Sequence, residues 1–222
     1  MGEFRLHAIS IDEVRDIFGA DDALADRLRE CARAKFSVPA PRRRGLWSRL
    51  VPLTRTDPDA PVLPPGFPTP GDVEDLLAGR YAPPERLSRC WRVLDLWLCE
   101  LSWGTTSLSL GPDEIDDLEF VLARAGLPSE LSLRRLLSGD PQIPLRPAPD
   151  MRTGYARSAH VAATHEALSA VAARVDEQHT AMVEQLVDFL AQFCEWSAEA
   201  PGAGRPAPDL LVVWHANPTT LA

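Results

Sequence analysis

Residues Leu87–Trp103 constrain the fold of this chain more than any other stretch. Leu87, Cys90, Trp91, Leu94, Trp97, Leu98 and Leu101 recur at the spacing of one helix face over about four turns. Pro83-Pro84-Glu85 precede them as a start signal. Val93, Leu96 and Trp103 widen the apolar surface beyond a single stripe. A helix apolar over that much of its circumference needs neighbours on more than one side. The rest of the chain must supply them, and 222 residues suit one medium domain that folds without a disulfide or metal.

The flanking pattern supplies both strands and helices. Phe4, Leu6 and Ala8 alternate with Glu3, Arg5 and His7, which predicts a strand over Glu3–Ile9. Ser10 and Glu13 have the spacing of a capping box, so a short helix should follow and stop near Gly19. Asp21 or Asp22 can cap the next helix, with Leu24, Leu28, Cys31 and Ala32 on one face. Thr69-Pro70 and Gly111-Pro112 each open another, and the acids at Asp113, Glu114, Asp116 and Asp117 suit the positive end of a helix dipole. Ser129 can cap a short helix reaching Leu137. Tyr155–Ser158 reads as extended, with helices over about 159–174 and 176–198 and a β-rich run at Leu210–His215. In the last long helix Val183, Leu186, Val187, Leu190, Phe193 and Cys194 should point inward.

The stretch 39–70 differs in composition. It holds nine of the 21 prolines, and five arginines against two aspartates. It reads as a Pro/Arg-rich surface loop or insertion within a single domain spanning 1–222. Its balance is +3, so the remainder of a chain at −9 carries −12. Such an acidic body is a poor general binder of nucleic acid or of anionic membranes, but can bind a basic protein, with charge speeding the encounter. The longest apolar run, Leu210–Trp214, is far short of the roughly 20 residues of a membrane span, and Met1–His7 lacks a signal-peptide core. A cytoplasmic location is expected. The near-exclusive use of arginine, with Lys35 the one lysine, points to a bacterial source of high GC content.

Few residues are placed for chemistry. Cys31, Cys90, Cys99 and Cys194 form no Cys-x-x-Cys pair, and all read as buried thiols. Cys90 and Cys99 would lie about 13 Å apart along one helix, too far for a disulfide. His160 and His165 diverge by about 140° on a helix, and His165-Glu166 lacks the second histidine of a zinc-binding helix. His179 and His215 are isolated in sequence. No metal site and no cofactor is expected. No Gly-x-Ser-x-Gly elbow occurs, and Gly202-Ala203-Gly204 follows a helix, where it cannot form a phosphate loop.

The run Leu-Ser-Arg-Cys-Trp-Arg-Val-Leu-Asp-Leu-Trp-Leu at 87–98 resembles the central helix of the YfbM-like family of uncharacterised bacterial proteins, with Arg89 and Trp91 at its basic and tryptophan positions. Leu137–Asp140 resembles that family's following turn, and Gly154-Tyr155-Ala156-Arg157-Ser158 its extended Gly-Tyr-x-x-Arg region. The helix carrying Phe189, Phe193 and Trp196 and the strand at 210–214 resemble its closing elements. Asp95 stands where the family has a histidine, and 39–70 has no counterpart there. The resemblance covers about two thirds of the chain in element order. It implies an α+β fold, helix-rich, with a small and mostly antiparallel sheet flanked by helices. It implies no reaction.

The function expected from these features is non-catalytic binding of a basic protein partner, for example as an immunity-type protein that covers a basic toxin site. The alternative is an enzyme or small-molecule binder with a cleft near Arg89, Trp91, Tyr155 and Arg157. There an arginine could hold a carboxylate or phosphate and an aromatic could form a wall. The oligomeric state is not legible.

Overall fold

Local chemistry sets the first elements of the computed structural model, which describes residues 2–36 and 66–216. Strand β1 (Glu3–Ile9) ends at Ser10, whose side chain accepts from the amide of Asp12 while Glu13 reaches back, so the capping box forms and opens α1 (Ile11–Asp16). Gly19, at φ 115°, turns the chain towards α2 (Asp22–Phe36). Asp21 accepts from the amide of Leu24 at 2.8 Å and caps that helix. Most of the segment 39–70 lies outside the described residues. The next described helix is α3 (Pro70–Leu77), where Thr69 and Asp72 form a second capping box with proline at the first turn. A 3-10 turn at Pro84–Arg86 leads into α4 (Leu87–Leu101).

A strand that sequence patterning did not foresee follows. β2 (Gly104–Ser109) buries only Leu108 of its six residues, so it lacks the apolar alternation that announces a strand. Then come α5 (Pro112–Ala125), α6 (Leu133–Leu136) and β3 (Met151–Ala156), which begins four residues before the extended stretch expected at Tyr155. Helix α7 (Ser158–Ala172) is followed by α8 (Glu177–Ala191) and α9 (Phe193–Glu199), and β4 (Asp209–His215) closes the sheet. The expected helix over 176–198 is thus two helices meeting at Gln192. No proline or glycine breaks it. The bend lets Phe189, Phe193 and Trp196 pack edge to face, with ring centroids 5.3–5.8 Å apart.

The sheet order is β2-β1-β4-β3, antiparallel throughout. The fold is α+β and rich in helix, with α1–α4 on one face of the sheet and α5–α9 on the other. β4 is therefore a central strand, covered on both sides, which explains why Leu210–Trp214 is continuously apolar. On the first face α4 packs against β1, α2 and α3, with Trp91 and Trp97 almost fully buried. Both indoles are satisfied: Trp97 donates to the carbonyl of Leu28 at 2.9 Å and Trp91 to that of Arg146 at 2.8 Å. That satisfaction lets a large aromatic sit in the core without an orphaned donor.

Candidate functional site

Each of the four residues singled out from sequence has a partner within the fold. Trp91 is 1% exposed, so its ring is core. Arg89 Nε lies 3.3 Å from Asp72 Oδ2, an ion pair without an aligned hydrogen bond. Asp72 is fully buried and also takes Arg86 Nε at 2.7 Å, besides serving in its own capping box. Arg157 donates to Asp209 at 3.2 Å, and its guanidinium lies 5.7 Å from the centre of the Tyr155 ring. Asp209 itself accepts from the amides of Ile11 and Ser158, so one carboxylate caps the starts of α1 and α7. Arg89 and Trp91 thus sit with Asp72 and Arg146, while Tyr155 and Arg157 sit with Asp209.

A concave surface lies elsewhere, between β2 and the α8–α9 pair, with a volume of about 430 Å³. That is within the usual range of ligand pockets. One wall is edge strand β2 at Gly104, Thr105 and Thr106. The other is the outer face of α8, where Ala181, Glu184, Gln185, Asp188 and Gln192 recur at helical spacing. The opposite face of α8 sends Val183, Leu186, Phe189 and Leu190 into the core, which fixes the rotation of the helix. Gln185 reaches across to donate to Thr106 Oγ1 at 2.8 Å and to the carbonyl of Ser107 at 3.1 Å. Trp196 closes one end against Gly104. A Cβ at that glycine would sit 2.5 Å from the indole ring, so only glycine permits the contact. Among the described residues the charged lining groups are Glu184 and Asp188, with no basic residue beside them.

A second polar cluster is buried under α4. Glu3, Arg5 and His7 share the face of β1 that α4 covers. Asp95 of α4, 4% exposed, contacts His215 Nε2 at 3.2 Å and Arg5 Nη1 at 3.7 Å. Glu3 holds Arg5 from its other side at 2.7 Å. Among the described residues, Asp95 Oδ1 and both ring nitrogens of the fully buried His7 have no hydrogen-bond partner. Burial pushes His7 down to about 4, with Arg5 and His215 adding and Asp95 opposing. His7 is therefore a neutral imidazole at neutral pH, sealed from solvent.

The cysteines divide more than the sequence indicates. Cys90 is buried, and its thiol is pushed up to about 11, by desolvation first and by Asp72 next. Cys31 is half-buried, while Cys99 and Cys194 are exposed, correcting the expectation that all four are core. Cys99 falls just past the apolar arc of α4, beside exposed Glu100, and Cys194 occupies the outer face of α9 next to Glu195. Desolvation still raises the Cys99 thiol, with Arg5 opposing and Asp95 adding, so it is not an activated thiolate. Among the described residues no group of three or more His, Cys, Asp or Glu is placed to hold a metal ion. Nor is any helix there long and apolar enough to cross a membrane.

Sequence reasoning missed the groove because its two walls are distant in the chain. The stripe from Ala181 to Gln192 is visible at helical spacing, but its meaning depends on β2. In comparison with known proteins, a family model described as Domain of unknown function (DUF7691) matches residues 1–215. No curated protein and no solved structure matches. The match carries the expectation of an uncharacterised domain, not the YfbM-like assignment itself. Since it spans nearly the whole sequence, the chain belongs to the family Domain of unknown function (DUF7691).

Proposed function

We propose that this protein acts by binding, non-catalytically, and that its partner is a basic protein docked in the groove between β2 and α8. The observation that carries the reading is the pairing of Glu184 and Asp188 in a concave site whose described lining holds no basic residue. The wider charge agrees with it. Residues 37–65 hold five arginines against two aspartates, so the described residues of this −9 chain carry −12. A field of that sign concentrates a basic partner at the surface and raises its association rate. The partly exposed Trp196 at one end offers an aromatic anchor of the kind that dominates binding energy at protein interfaces. An immunity-type role in the bacterial cytoplasm, masking a basic site on a toxin, is one concrete form. Kinship with the YfbM-like family, carried by Arg89, Trp91 and the Gly154–Ser158 segment, is part of the same proposal.

The test is photo-crosslinking inside the native host, with a photoreactive residue in place of Gln192. A basic protein adduct is expected, and it should vanish when Glu184→Arg and Asp188→Arg are combined in a chain that stays folded by circular dichroism. Adducts that persist after charge reversal, or no adduct at all, refute the reading.

A further inference from the structure

We infer that the groove receives its partner as an added β-strand: an extended segment of the basic protein pairs with the open edge of β2 and places basic side chains at alternate positions against Glu184 and Asp188. This rests on the docking reading above and specifies how the partner binds. The register pairs Phe4, Leu6 and Ala8 of β1 with Leu108, Thr106 and Gly104 of β2. Leu110 donates to the carbonyl of Gly2, continuing that hydrogen-bonded series. The N–H and C=O of one strand residue point to the same side, so Thr105, Ser107 and Ser109 direct theirs away from β1. Among the described residues, the hydrogen bond received at this edge is the one from the Gln185 side-chain amide to the Ser107 carbonyl. That amide occupies the place of a neighbouring strand's N–H.

The two edges of the sheet are treated differently. At β3 the outer edge is covered: Tyr155 donates to the carbonyl of Gly139 at 3.2 Å, and Gly139 lies so close to the Tyr155 carbonyl that a Cβ there would clash with it. β2 lacks two of the devices that guard an exposed edge, since Gly-Thr-Thr-Ser-Leu-Ser has no charge and no proline. Strand addition at such an edge takes affinity from main-chain hydrogen bonds and specificity from alternate side chains. The spacing fits. Residues four apart on α8 are separated by about 6 Å along its axis, and residues two apart on a strand by about 6.6 Å. Glu184 and Asp188 can therefore each meet one of two basic side chains at positions i and i+2 of the added strand.

The experiment pans a phage library of ten-residue peptides on the full chain and follows the enriched peptides by amide hydrogen exchange. Enrichment of Arg or Lys at alternating positions is expected. So is at least a tenfold slowing of exchange at Thr105, Ser107 and Ser109, with Thr106 and Leu108, already paired to β1, unchanged. Combined Glu184→Arg and Asp188→Arg should weaken binding at least tenfold, and Gln185→Ala should leave it equal or tighter. Ser107→Pro removes an N–H that β1 does not use, and should abolish binding with the far-ultraviolet spectrum retained; the exchange data decide the matter independently if that variant misfolds. Peptides that bind in a charge-dependent manner without edge protection overturn strand addition and leave the docking reading standing. No enrichment, or binding that ignores charge reversal, overturns both.

Discussion

His7 makes stability fall as the solution is acidified. The imidazole is fully buried, with no hydrogen-bond partner among the described residues, so its protonated form is disfavoured and the group sits at about 4 in the fold against 6.5 in the unfolded chain. The groups facing it are Arg5 on its own strand, Asp95 from α4 and His215 from β4. Between those two values the unfolded chain binds the extra proton and the folded one does not, so protons favour unfolding. The stabilisation is intact above the unfolded value and is lost progressively as pH falls from about 6.5 towards 4. Each unit of displacement corresponds to about 1.4 kcal/mol, so His7 should cost about 2 kcal/mol between pH 7 and pH 5. The assay is urea unfolding at both pH values, on the native chain and on His7→Leu. Leucine removes two orphaned polar atoms, so the variant should match or exceed the native stability at pH 7 and lack that part of the acid loss. An equal acid loss in both proteins would refute the buried neutral imidazole.

Three other substitutions and one chemical treatment read different parts of the structure. Asp209→Ala uncaps α1 and α7 together, and should lower stability by about 2–3 kcal/mol, seen as a fall in Tm of about 5–10 °C. Trp97→Ala should cost about 3–5 kcal/mol in denaturant unfolding, because a fully buried ring leaves a cavity beside Leu28. Gly104→Ala should displace Trp196 from the end of the groove, shifting its fluorescence while the rest of the sheet persists. With Ellman's reagent the exposed Cys99 and Cys194 should react in the folded protein, and Cys90 only after unfolding.

What was legible in the sequence is what neighbouring residues decide together. Ser10 with Glu13 and Thr69 with Asp72 form capping boxes from atoms three residues apart, and both helices start where the pattern places them. The stripe from Leu87 to Leu101 marks a central helix because all of its seven members are at least partly buried. The continuous run at 210–214 marks a strand, but its central place in the sheet depends on β3 covering its second edge. The break at Gln192 was hidden because no proline or glycine marks it, and β2 because only one of its residues enters the core. Arg89, Trp91, Tyr155 and Arg157 looked available because their partners Asp72, Arg146 and Asp209 lie 17 to 55 residues away. The buried pair of His7 and Asp95 was missed for a related reason: each is a single polar residue in an amphipathic pattern, and only the packing of α4 on β1 brings them together.

The most direct test of the acidic docking groove is the affinity of the crosslinked basic partner for the native chain and for Glu184→Arg/Asp188→Arg, measured by calorimetry at 50 mM and 500 mM salt. The expected result is binding that weakens at least tenfold with charge reversal and also weakens with salt in the native chain, as screened charges do. Equal affinity for both proteins at both salt concentrations would contradict it.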